Sequence, residues 1–189
     1  MYSPIYHSYV LYEIGCTSCK ILAYFSLFPV LLIAHLVFSF IQLKDVSILL
    51  ILIGHLINEI VNSILKKLLK VPRPLHPGYD EQYNSGYGMP SAHAGFMSFF
   101  TIVWGGYKSI PLSLIVIYSR YHLQYHHIDQ ILVGILVGTI MGIFWNFILR
   151  IAYRYKVSYT FSKDRIFNIG QFWRLYNVSN KSWVNYTRI

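Results

Sequence analysis

Three apolar stretches, 21–43, 47–65 and 131–149, each approach the roughly 20 residues an α-helix needs to cross the hydrocarbon core of a bilayer. The remainder offers little to build a soluble domain around them. The chain is 55% hydrophobic with a mean hydropathy of +0.45, and it carries only seven acidic side chains. Two shorter apolar runs, 94–107 and 110–118, meet at Gly105-Gly106-Tyr107-Lys108-Ser109 and read as a tight helical hairpin that extends into the flanking polar sequence. The expected fold is therefore all-α, a polytopic membrane helical bundle of about five transmembrane helices. Residues 1–150 would form the membrane-embedded domain and 151–189 a basic, aromatic tail. The first run has no small-residue cleavage site after it, so it is expected to be a retained helix and not a signal peptide.

A net charge of +9 would suit a nucleic acid or a membrane surface, and its distribution favours the membrane. Eight of the sixteen basic residues lie from Arg150 onward, where Asp164 is the only acid, so the tail is expected to be cytoplasmic. With five crossings, the N-terminus and loops 66–93 and 119–130 fall together on the opposite side. Acceptor tripeptides starting at Asn177, Asn180 and Asn185 conflict with this, because glycans there would make the tail lumenal. The charge asymmetry carries more weight, since such tripeptides recur by chance. Phe167, Trp173, Tyr176 and Trp183, interleaved with Lys and Arg, suit a tail lying on the cytoplasmic membrane surface; a solvated tail is the alternative.

Cys16 and Cys19 are spaced as a redox or metal half-site, but the sequence around them favours a structural or lipid-modified pair. In the second span His55, Asn58, Glu59, Asn62 and Lys66 recur every three or four residues, which places them on one inward face. The Val71-Pro72-Arg73-Pro74 sequence should end that span near Lys70 and project Arg73 from a loop. Lys66 and Arg73 are then two cations at one end of a polar stripe, or simply a basic membrane anchor. Pro90-Ser91 before an apolar run reads as a helix start with Ser91 as N-cap, a place suited to an anion, with His93 in the first turn. In the third cluster, Ser119 and Arg120 close one span while His126, His127, Asp129 and Gln130 open the next. Gln130 and Asp129 both lie within reach of His126, so either could orient its ring. The His122–His126 spacing invites a metal reading, but no convincing third ligand accompanies it, so no metal is expected.

All three clusters map to the same face of the membrane. Cations, a helix start and two histidines suit phosphoryl transfer, in which one group attacks and another protonates the leaving oxygen. The spacing of Lys66 with Arg73-Pro74, of Pro90-Ser91-Ala92-His93, and of Ser119-Arg120 with His126 resembles the three-part signature of the type 2 phosphatidic acid phosphatase superfamily. Within it the chain is most similar to the dolichyl-diphosphate phosphatases of the endoplasmic reticulum, through Leu22-Ala23-Tyr24-Phe25-Ser26-Leu27-Phe28-Pro29-Val30, Asn58-Glu59, the Tyr87-Gly88-Met89-Pro90-Ser91 sequence and Tyr125-His126-His127-Ile128-Asp129-Gln130. The likeness covers residues 11–149, with a fainter echo at 183–188.

The resemblance implies that His126 is the nucleophile, that His93 is the general acid, and that Lys66, Arg73, Ser91 and Arg120 bind phosphoryl oxygens without a metal or other cofactor. Gln130, Asp129 and Glu59 would support them. It further implies a polyisoprenoid diphosphate substrate, converted to the monophosphate through a phosphohistidine at the lumenal face, which recycles the lipid carrier of N-glycosylation. Most of the superfamily has aspartate where Gln130 stands; the dolichyl-diphosphate branch has glutamine. A phosphate monoester leaves more readily than an alkoxide, which would lessen the nucleophile's need for a carboxylate. The connector between the two short helices is also shorter than in that branch. A broader lipid-phosphate phosphatase, and a non-catalytic lipid-binding or transport protein, are the alternatives.

Overall fold

The computed structural model describes residues 1–5, 10–78 and 86–154. The tail expectations, including the tripeptides starting at Asn177, Asn180 and Asn185, lie outside these residues. Among the described residues, two short antiparallel strands, β1 (Tyr2–Pro4) and β2 (Leu11–Glu13), precede six helices. These are α1 (Thr17–Phe25), α2 (Phe28–Leu43), α3 (Val46–Leu69), α4 (Ala92–Phe100), α5 (Ile110–His122) and α6 (Ile128–Arg154), with π-helical and 3₁₀ turns at Thr101–Gly105 and Tyr107–Ser109 between α4 and α5.

Local chemistry sets the helix ends. Asp45 caps α3 by accepting the Ser47 N–H at 2.8 Å, and α3 stops at Lys70, a left-handed residue with φ of 53° just ahead of Val71-Pro72. The end falls where the prolines predict it. Helices α1 and α2 form one stretch, Thr17–Leu43, broken at Ser26-Leu27 before Pro29, which has no N–H to give the preceding turn. Together with α3 and α6 it makes three segments long and apolar enough to cross a membrane.

The two remaining rods are the expected hairpin. At 1.5 Å per residue, α4 with its π-helical extension and α5 are each about 20 Å long, short of a full hydrocarbon crossing. Helix α4 can be short because it sits inside the protein: Ala94 through Phe100 are all buried, and Phe96, Met97, Phe99 and Phe100 form the centre of the main core with Leu36, Ile51, Val116 and Trp145. Among the described residues the bundle is thus five rods, three of spanning length, with the short α4 at the centre.

The contact between α4 and α6 is backbone against backbone. Gly134, Gly138 and Gly142 recur every four residues on one face of α6, while Leu132, Leu136 and Ile140 on other faces are exposed as lipid-facing groups would be. A Cβ on Gly134 would lie 2.5 Å from the Ser91 carbonyl oxygen, and one on Gly138 would strike the Gly95 backbone. Nothing flexible can yield there. Gly138→Ala should therefore cost about 1–3 kcal/mol through overpacking and lower the thermal midpoint in detergent by several degrees, with Leu136→Ala as the lipid-facing control. Equal midpoints for Gly138→Ala and wild type would contradict this packing.

Candidate active site

One end of the bundle gathers the α3–α4 loop, the α5–α6 loop and the N-terminal strands. The first loop is closed at its base by an antiparallel bridge between Pro72 and Tyr87 and by the Gly88 N–H donating to the Val71 carbonyl at 2.7 Å. Arg73 projects from it, its Nε–H donating to the Tyr87 carbonyl at 3.2 Å. The second loop is a tight return. Helix α5 ends at His122, Gln124 takes a left-handed φ of 58°, and the chain folds back so that the Tyr125 and His126 N–H groups both donate to the Arg120 carbonyl, at 3.0 and 3.2 Å. This return seats the Arg120 guanidinium 3.9 Å above the Tyr125 ring, in a position only 5% exposed.

His126 is 5% exposed, and its Nδ1 lies 3.0 Å from Gln130 Oε1. The other end of the Gln130 side chain, Nε2, donates to the Pro72 carbonyl at 2.7 Å. A carbonyl can only accept, so the NH₂ end of the amide must face Pro72 and the oxygen must face His126. His126 therefore carries its proton on Nδ1, and Nε2 holds the lone pair. Burial pushes the His126 pKa down to about 3, with Arg120, then Lys66 and Arg73, adding to the depression and the Gln130 bond opposing it. The imidazole is neutral throughout the physiological range, and three cations act on it.

Lys66, in the last turn of α3, is half-buried and interacts electrostatically with Arg73, Glu59 and Arg120. Ser91 stands directly before α4 with no exposure, and its N–H donates to the Gln130 carbonyl at 2.9 Å. His93, one residue into the helix, donates from Nε2 to the main-chain carbonyl of Ser26 at 3.0 Å. Lys66, Arg73, Arg120, His93 and His126 thus converge on one end of the bundle, with Ser91 bonded to the same Gln130.

Several expectations need correction. Ser91 occupies the N-cap position, but its hydroxyl makes no cap bond: Ser91 Oγ is buried and has no hydrogen-bond partner among the described residues. Asp129 does not orient His126; it is exposed, because one residue along a helix turns the side chain by about 100°, away from the face Gln130 shares with His126. Glu59 lies at the exposed edge of the α3 stripe, whereas His55, Asn58 and Asn62 are each 1% exposed. His122 and His126 do not act as a helical pair, since the helix ends between them. His122 Nε2 instead sits 3.6 Å from Cys19 Sγ. Cys16 and Cys19 are joined in a disulfide, which leaves no thiol for lipid attachment and no thiolate for a metal.

Other contributors carried no clear sequence signal. The Tyr125 hydroxyl accepts the Leu11 N–H at 2.7 Å, and His76 lies between Tyr2 and Tyr125 with ring centroids 5.2 Å away on each side, so the N-terminal strands brace this end of the bundle. Gly88 is needed where it is because a Cβ there would lie 2.5 Å from Gln130 Oε1.

The titration of His126 tests this electrostatic setting. Followed by NMR, the wild-type ring should stay neutral down to pH 5. A carboxylate favours the imidazolium, so Gln130→Glu should move the transition upward in pH. A wild-type midpoint near 6.5 would contradict the described environment.

The sequence profile of the PAP2 superfamily matches residues 46–154. Dolichyldiphosphatase of Saccharomyces cerevisiae is 33% identical over 93% of this chain and 82% of its own length. Human dolichyldiphosphatase 1 is 32% identical over 75% of this chain and 69% of its own length. In fold, the chain resembles the transmembrane PAP2-type phosphatidylglycerolphosphate phosphatase of Bacillus subtilis, with a TM-score of 0.56 at 17% identity, covering 78% of this chain and 79% of that one. With a profile match over more than half its length and relatives aligned over most of theirs, the chain belongs to the PAP2 superfamily, among the relatives of the dolichyldiphosphatases.

Proposed function

We propose that the protein hydrolyses dolichyl diphosphate to dolichyl monophosphate and inorganic phosphate. The observation that carries this reading is the neutral, buried His126, its tautomer fixed by Gln130, set among Arg120, Lys66 and Arg73. The substrate comes from the relatives named dolichyldiphosphatase.

Three cations hold the non-bridging oxygens of the terminal phosphoryl group, and the unpartnered Ser91 hydroxyl supplies a further donor. His126 Nε2 attacks the terminal phosphorus as the bond to the bridging oxygen breaks. His93 gives that oxygen its proton, and dolichyl monophosphate departs. Water then attacks the phosphohistidine, giving its proton to His93 and releasing phosphate, which restores both rings. The residues supply positioning, charge and proton transfer, so the reaction needs no metal or other cofactor. The isoprenoid stays in the bilayer or between helices while the diphosphate enters the polar end.

The setting we propose is a multi-pass protein of the endoplasmic reticulum membrane, with the catalytic end lumenal and the basic tail cytoplasmic, recycling the lipid carrier of N-glycosylation. A broader lipid phosphatase is the second reading, favoured by the fold it shares with a phosphatidylglycerolphosphate phosphatase. Phosphate release by purified protein in excess EDTA separates the two. Dolichyl diphosphate should be cleaved well ahead of phosphatidate, and His126→Ala should lower the rate by at least about three orders of magnitude. Equal rates on both lipids would favour the broad phosphatase, and histidine-independent release would contradict the mechanism.

A further inference from the structure

We infer that the break in the first membrane span is a positioning device for the general acid, and that it makes Nδ1 of His93 the nitrogen that handles the proton. This rests on the acid role proposed above for His93. In an unbroken helix the Ser26 carbonyl would accept the N–H of the residue four positions on, Val30. Here the Val30 N–H donates to Leu27 instead, at 3.1 Å, as does the Leu31 N–H at 3.2 Å. The cause lies in the sequence. Pro29 has no N–H to donate and its ring crowds the preceding turn, while the Ser26 hydroxyl donates back to the Ala23 carbonyl at 2.7 Å, a bond that bends helices. The Ser26 carbonyl is thereby released from the helical ladder. Buried in a residue only 1% exposed, it accepts from His93 Nε2 at 3.0 Å across 67 positions of sequence.

A main-chain carbonyl has no proton to give, so this contact exists only with hydrogen on Nε2. Nε2–H remains on the carbonyl throughout the cycle. His93 therefore acts as the imidazolium, taking its second proton at Nδ1 when the anionic diphosphate binds; that proton leaves from Nδ1 for the bridging oxygen, and the proton taken from the attacking water returns to Nδ1. The two histidines therefore work through opposite nitrogens. His126 is tethered at Nδ1 and attacks with Nε2; His93 is tethered at Nε2 and transfers protons at Nδ1. The tether of His126 comes from a side chain four residues along, in the first turn of α6, and that of His93 from a distant helix, 67 positions away, whose evident sequence mark is a proline three residues beyond Ser26.

Two measurements test this. In ¹⁵N-histidine-labelled protein, with His93→Gln used to assign the signal, the neutral His93 ring should show a protonated Nε2 and an unprotonated Nδ1. In Pro29→Ala, which restores an N–H and lets the ladder reclaim the Ser26 carbonyl, kcat on dolichyl diphosphate should fall at least about tenfold. Turnover of 4-nitrophenyl phosphate, whose phenolate leaves without a proton, should stay within about twofold. That split separates a misplaced acid from a damaged fold. An Nδ1-protonated His93, or equal losses on both substrates in Pro29→Ala, would overturn the inference. If His93→Ala itself showed no dependence on the leaving group, the acid role would fall, and the inference with it.

Discussion

The side-chain amide of Gln130 makes two bonds that a carboxylate could not make together. Its oxygen accepts from His126 Nδ1 and its NH₂ group donates to the Pro72 carbonyl, while its own main-chain carbonyl accepts from Ser91. One residue thus joins the return loop that carries His126, the loop that carries Arg73, and the start of α4 that leads to His93. An aspartate there would be one carbon shorter and would meet the Pro72 carbonyl with negative charge. Its missing donor would leave a buried acceptor unpaired, at a cost of about 1–3 kcal/mol. Leaving-group chemistry is therefore not the only account of glutamine at this position; the packing demands an amide. Gly88, with no side chain, leaves room for it.

The electrostatics follow from the same choice. A carboxylate beside His126 would stabilise the imidazolium, which cannot attack. An amide fixes the tautomer without supplying charge, so burial and the neighbouring cations keep the ring neutral. Those cations act together on His126, and Lys66 also interacts with Glu59. In the proposed mechanism the negative charge of a lipid diphosphate meets them, so that binding and activation of the nucleophile would share one source of energy.

Much of this was legible in the residues. Apolar run lengths reveal the long spans, the prolines at 72 and 74 end α3, and the three spaced motifs name Lys66, Arg73, Ser91, His93, Arg120 and His126. Helical periodicity offered both Asp129 and Gln130 to His126, and only the three-dimensional path of the return loop decides for Gln130. The role of Ser26 was hidden because a main-chain carbonyl has no residue signature; the Ser26-Leu27-Phe28-Pro29 sequence marks where the span breaks and says nothing of which partner the freed oxygen meets. Glycine spacing in α6 is visible, but its meaning depends on Gly95 of α4 lying opposite. The bracing of Tyr125 by Leu11 joins positions 114 apart, which local patterns cannot report.

The central claim is that His126 attacks through Nε2 because Gln130 holds Nδ1. Acid-labile phosphoenzyme, trapped by rapid alkaline quench during turnover of dolichyl diphosphate, can be mapped to a residue by mass spectrometry and to a ring nitrogen by ³¹P–¹⁵N NMR of the derived peptide. The account predicts phosphate on His126, bonded to Nε2. Phosphate on Nδ1, on another residue, or no covalent intermediate at any time during turnover would contradict it.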